Sequence, residues 1–149
     1  VPRVLVIYGP NLNLLGAREP HVYGRQPLED INASVWAAAQ SLGIDVEFFQ
    51  SNHEGALIDR LHEARTTCQA VVLNPGGLAH TSVALRDAVA AIDIPVIECH
   101  LSNLARREEF RQRSLVSAVC AGVIFGLGAE SMVLGLRAAH AIIQLQGGR

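Results

Sequence analysis

Apolar residues along this chain gather in five short runs, each followed by a longer stretch with helical spacing. Residues 4–8, 46–50, 71–74, 96–100 and 123–125 are rich in Val, Ile and Phe with little polar alternation. That is the pattern of buried strands covered on both faces. Between and after them, residues 28–42, 54–67, 82–92, 106–113 and 129–146 read as helices. The first of these places Ile31, Val35, Ala38, Ala39 and Leu42 on one face, and Gly43 follows as a stop. Strand–helix alternation predicts an α/β chain with a parallel sheet sandwiched by helices. Five strands in 149 residues point to a flavodoxin-like, doubly wound order 2-1-3-4-5. No internal repeat or low-complexity tract divides the chain, so residues 1–149 read as one domain.

The stretch GPNLNLLGAREPHVYG, residues 9–24, departs from this economy. It holds two Asn, an Arg and a Tyr with few apolar anchors, and connections longer than roughly 12–15 residues are usually lids or binding loops. Residues 12–26 are therefore expected to form a mobile lid over a site.

The architecture says where that site lies, because ligands bind beyond the carboxyl ends of the strands in open parallel sheets. Those ends carry Pro10-Asn11, Ser51-Asn52-His53, Asn74-Pro75-Gly76-Gly77 and His100-Leu101-Ser102-Asn103. Amides, hydroxyls and imidazoles thus converge on one rim, although Asn, Ser and Gly are also ordinary turn residues.

Charge and composition narrow the chemistry. The formal net charge of -2 leaves no basic field for nucleic acid, and no apolar run reaches the roughly 18–20 residues that span a bilayer. The N-terminal residues carry no signal-peptide pattern, and Cys68, Cys99 and Cys120 form no Cys-x-x-Cys. A cytoplasmic chain with buried, reduced thiols is expected. All twelve basic residues are Arg. With no lysine there is no Schiff base and no Walker lysine. No Cys cluster or His-Glu-x-x-His run supports a zinc site, and there is no Gly-x-Ser-x-Gly elbow. His62-Glu63 reads as a solvated pair within a helix, and GLGAES at residues 126–131 as a tight turn rather than a dinucleotide loop.

Proton chemistry on a small, oxygen-rich molecule remains. His100 is a natural general acid. Glu98, two residues earlier on the same strand, shares its face and is placed to orient the imidazole, unless an Arg elsewhere claims it. Tyr23 and Tyr8 are the only tyrosines. A free phenol stays protonated at neutral pH, but a guanidinium within about 4–6 Å favours the phenolate. Arg18, in the same loop as Tyr23, would supply it when the lid closes, whereas Tyr8 lies inside the first strand and is the rival base. Arg107 and Arg111, four apart, share one face of the expected helix 106–113 and offer guanidiniums to an anion, unless Glu108 and Glu109 neutralise them.

Taken together, GPNLNLLGAREPHVYG, QSNHEG, NPGGLAHTSVALRDAV and ECHLSNLARREEFR resemble the type II 3-dehydroquinate dehydratases, in order and spacing, over nearly the whole chain. The resemblance implies a flavodoxin-like fold and a homododecamer built as a tetramer of trimers. It implies anti elimination of water from 3-dehydroquinate, giving 3-dehydroshikimate, without cofactor or metal. It makes Tyr23 the base, assisted by Arg18, and His100 the acid, oriented by Glu98. Asn11 would stabilise the enolate through a held water. Asn74, His80 and Arg111 would bind ring hydroxyls, the amides of Leu101 and Ser102 the carboxylate, and Asp87 would reach in from a neighbouring subunit. Arg107 matches an arginine near the lid and is expected to pair with Glu19. Tyr8, Ala105-Arg106, Leu115 and Ala118 depart from the family's commoner residues, all outside the positions assigned to catalysis. The contrasting class is a flavodoxin-like binding module, such as a flavin carrier or phosphoreceiver. A receiver needs acidic residues where Asn11 and Asn74 stand.

Overall fold

A computed structural model describes residues 1–147. Five parallel strands, β1 (Arg3–Tyr8), β2 (Asp45–Gln50), β3 (Ala70–Asn74), β4 (Val96–His100) and β5 (Gly122–Phe125), form one sheet in the order β2-β1-β3-β4-β5. The predicted order is therefore the observed one. After β1 come a short helix α1 (Pro20–Tyr23) and α2 (Leu28–Leu42). Then α3 (Glu54–Thr67), α4 (Val83–Ala91) and α5 (Glu130–Gly147) complete the layers.

The uniform apolarity of β1 has a simple cause. Val4, Val6 and Tyr8 point to a core shared with α2 and α5, while Leu5 and Ile7 point to one shared with α3 and α4. Side chains alternate between faces, and here both faces are dry. The edge strands differ from the buried strands the pattern predicts. Every described residue of β2 is at least partly exposed, and in β5 Val123 and Phe125 stand out from the fold, because an edge strand has a neighbour on one side only.

Helix boundaries follow local chemistry. Gly43 ends α2 in a left-handed conformation that returns its N–H to Ala39 and Gln40 carbonyls. Ser82 caps α4 by accepting the Leu85 N–H at 2.9 Å. At Gly135, α5 lies so close to the sheet that an added Cβ would sit 2.4 Å from Cys99 Sγ. Residues 106–113, expected as a helix, instead form two separate 3₁₀ turns, Leu104–Arg106 and Glu109–Arg111, with Arg107 extended between them (φ -89°, ψ 179°). The Gln112 side chain donates to the Arg107 carbonyl at 2.9 Å, supplying the partner that a helix would have found four residues on.

No helix among the described residues is long and apolar enough to cross a membrane. Cys68 and Cys99 are buried and Cys120 is half-buried, all three as free thiols.

Candidate active site

The sheet order reverses between β1 and β3, and a cleft opens there beyond the strands' carboxyl ends, where doubly wound sheets bind ligands. Gly9 makes the reversal possible. A Cβ on it would lie 2.3 Å from the Pro75 carbonyl oxygen, so only glycine lets the chains leaving β1 and β3 run this close. The cleft encloses about 100 Å³. Arg18, Arg107 and Arg111 bring three guanidiniums to its wall, His80 and His100 two imidazoles, and no carboxylate is among the described lining residues. Each guanidinium also has a carboxylate partner outside the cleft: Glu19 for Arg18, and Glu108 for both Arg107 and Arg111.

β4 delivers the acid candidate. Glu98 and His100 are buried, two residues apart on one face of the strand. Burial raises the affinity of Glu98 for a proton, but hydrogen bonds from His100, Ser117 and Ser114 outweigh it and hold the carboxyl below its ordinary range. An ionised carboxylate only accepts, so His100 Nε2 is the donor in its 2.5 Å contact with Glu98 Oε2. The exchangeable proton of the imidazolium is then the one on Nδ1. His80 is fixed by the same logic. Its Nδ1 lies 2.8 Å from the Arg113 carbonyl, which can only accept, leaving Nε2 of the neutral ring as the acceptor. The two rings lie 6.3 Å apart at 25°.

The short helix α1 delivers the base candidate. Pro20 starts α1 and Glu19, before it, takes a left-handed φ of 36°, while Gly24 turns the chain out at φ 90°. Arg107 Nη2 donates to the Tyr23 hydroxyl at 3.0 Å, and its Nη1 donates to Ser102 Oγ at 2.9 Å. Arg18, the cation expected to act on Tyr23, lies over the ring face instead, 4.7 Å from its centroid. The guanidinium on the hydroxyl is therefore Arg107's. Glu19 is paired with Arg18 at 3.8 Å, not with Arg107 as expected, because Arg107 is drawn inward by the hydroxyls of Tyr23 and Ser102.

The rest of the rim follows the strand ends. Asn11 lines the cleft in a left-handed turn (φ 71°), held by its N–H to Asn52 Oδ1 at 2.9 Å. The Asn52 amide in turn accepts from Gln50 at 3.1 Å. Asn74 is buried, its Oδ1 accepting the Gly76 N–H at 3.2 Å. Leu101 and Ser102 line the cleft beside His100, and Arg111, donating to Glu108 at 2.6 Å, closes the far wall. Of the residues singled out in the sequence, Asp87 is not in this group. It stands exposed on α4 beside Arg86. Tyr8 is also absent from the cleft wall. It is buried against α2, donates to Asn32 Oδ1 at 2.7 Å, and burial raises its phenol far above the ordinary range. It is a core residue rather than a rival base.

Three contributors escaped the sequence reading: the hydrogen bond of Arg107 to Tyr23, the serines on Glu98, and the Asn52–Gln50 support behind Asn11. Asn52 was visible as a strand-end amide. No local spacing betrays the other two.

Known proteins share this sequence pattern and this fold. The family model described as dehydroquinase class II matches residues 2–140. A 3-dehydroquinate dehydratase of Desulforudis audaxviator is 56% identical over 141 residues, covering 95% of this chain and 94% of that protein. One of Bacillus subtilis is 51% identical over 148 residues, covering 99% and 98%. Among solved structures, the type II dehydroquinase of Butyrivibrio crossotus superposes with a TM-score of 0.91 at 42% identity, covering 93% of this chain and 97% of its own. With a family model matched over most of its length and relatives more than half identical to it, the chain belongs to the class II dehydroquinase family.

Proposed function

We propose that this chain is a hydro-lyase that removes water from 3-dehydroquinate, giving 3-dehydroshikimate, by acid–base chemistry at the switch-point cleft. One observation carries the reading: a phenol hydrogen-bonded to a guanidinium, Tyr23–Arg107, shares a cleft with an imidazole backed by a buried carboxylate, His100–Glu98. The relatives' names supply the substrate.

Tyr23 as phenolate takes the proton next to the ketone, with Arg107 at its oxygen and Arg18 over its ring stabilising the negative charge. The electron pair moves into an enolate, which Asn11 stabilises through a held water. The enolate then collapses, the C–O bond breaks, and His100 gives its Nδ1 proton to the departing hydroxyl, which leaves as water. Glu98, accepting from Nε2, orients the ring so that Nδ1 is the nitrogen that delivers the proton. Tyr23 ends with one proton and His100 lacks one, so a proton must pass between them or through solvent before the next turnover. His80, with Nε2 free to accept, binds a ring hydroxyl together with Asn74 and Arg111, and the amides of Leu101 and Ser102 hold the carboxylate.

The reading includes one catalytic domain with residues 12–26 as its lid and a cytoplasmic enzyme in the shikimate route to aromatic amino acids. The same chemistry serves quinate breakdown. It also includes a homododecamer, a tetramer of trimers, in which the exposed Asp87 enters a neighbour's cleft. Purified protein given 3-dehydroquinate is expected to raise the ultraviolet absorbance of a conjugated enone. No change in absorbance would overturn the reading.

A further inference from the structure

The carboxylate beneath His100 is held at both oxygens. Ser117 Oγ donates to Glu98 Oε1 at 2.6 Å and Ser114 Oγ donates to Oε2 at 2.8 Å. A hydroxyl can turn either way, but a carboxylate only accepts, so both serines are donors here. They come from one short piece of chain, 16 and 19 positions beyond Glu98. The ionisable groups in electrostatic contact with the carboxylate are His100 and the thiols of Cys99 and Cys120. Burial and the charge on Glu98 push both thiols up to about 12, so they stay neutral and leave Glu98 as the one anion of the cluster.

We propose that Ser114 and Ser117 are positioning residues for the dehydration, a hydroxyl clamp that keeps Glu98 ionised and aimed at His100 Nε2, so that Nδ1 remains the proton-delivering nitrogen. The inference rests on the assignment of His100 as the acid. Glu98 is fully buried, and an ionised carboxylate in such a place is costly unless several donors satisfy it. Remove the hydroxyls and the carboxyl takes up a proton more readily. The imidazolium then loses the anion that stabilises it, and the ring is free to rotate.

The test compares Ser114→Ala, Ser117→Ala and the double variant with the Thr replacement at each site, in the full chain and in a Glu98→Gln background. Each Ala variant is expected to lose roughly 10–100-fold in kcat, the usual cost of an outer-shell partner, with KM for 3-dehydroquinate nearly unchanged. Thr is expected to restore turnover. In the Glu98→Gln background the serine changes should cost nothing further, since the group they act through is gone. Nitrogen-15 histidine spectra of the substrate-free protein should show the His100 titration displaced in the double variant. Additive losses on top of Glu98→Gln, or an undisplaced His100 titration, would overturn the clamp. Should the double variant fail to fold, Ser117→Ala against Ser117→Thr decides, and equal kcat in that pair overturns the clamp. Turnover surviving His100→Ala would instead overturn the acid assignment, while the spectra still decide the clamp without reference to turnover.

Discussion

Arg107 reaches 84 positions back along the chain to place its guanidinium on the hydroxyl of Tyr23, at 3.0 Å. The base candidate on α1 is thereby tied by a guanidinium to a segment that follows β4. Tyr23→Phe is expected to lower kcat by at least the roughly 10²–10⁴-fold typical of an acid–base group. Arg107→Gln should lower it about 10–100-fold, the equivalent of one charge-assisted hydrogen bond of about 1.5–3 kcal/mol. Steady-state rates measured beside circular dichroism check both, and near-normal turnover in Tyr23→Phe would remove the phenol from the mechanism.

Tyr8 should behave oppositely. It is buried, its hydroxyl serves Asn32, and it is not among the lining residues of the cleft. Tyr8→Phe leaves the Asn32 acceptor short of a partner and is expected to cost about 1 kcal/mol of stability. Turnover should change less than twofold. Urea unfolding and the enone assay on one preparation separate the two effects.

Glu98 ties stability to pH. Its folded-state proton affinity lies below the ordinary value of 4.5, because the donors from His100, Ser117 and Ser114 overcome burial. A carboxyl depressed in this way contributes stability that is fully present above its unfolded pKa and is lost as pH falls through the folded value. The stability gap between the unaltered protein and Glu98→Gln should therefore be widest near neutrality and shrink as the pH drops below 4.5. Urea titrations at a series of acid pH values read this directly, and a gap that stayed constant would contradict it.

Gly135 tests the fit of α5 on the sheet. Alanine there would gain about 1 kcal/mol of helix propensity. Its Cβ, however, would stand 2.4 Å from Cys99 Sγ and 3.0 Å from Val72 Cγ1, in a core with no room to yield. Overpacking of this kind typically costs about 1–3 kcal/mol, so Gly135→Ala is expected to lower Tm, and pairing it with Cys99→Ala should recover part of the loss.

How much of this could be read in advance depended on range along the chain. The strand positions fell within a residue of those expected, and in the central strands the reason is two dry faces that leave an unmistakable apolar run, as in Val4 to Tyr8. The Glu98–His100 pair was legible because strand geometry fixes an i, i+2 relation. The segment around Arg107 was not. Its charges suit a helix, but Tyr23, Ser102 and Gln112 each offer it a stronger partner from elsewhere. The same holds for Ser114 and Ser117, whose target lies on another element. Sequence alone does not tell a buried phenol, such as that of Tyr8, from one that lines a cleft.

The stretch from Arg107 to Ser117 looks from its composition like a surface connection that would accept insertions. Its two ends nevertheless grip the two halves of the proposed proton path: Arg107 holds Tyr23, Ser117 holds Glu98, and the Arg113 carbonyl between them meets Nδ1 of His80. Its length therefore works as a ruler. A single residue added or removed there should put both proton-handling groups out of reach at once, with the sheet beneath left whole.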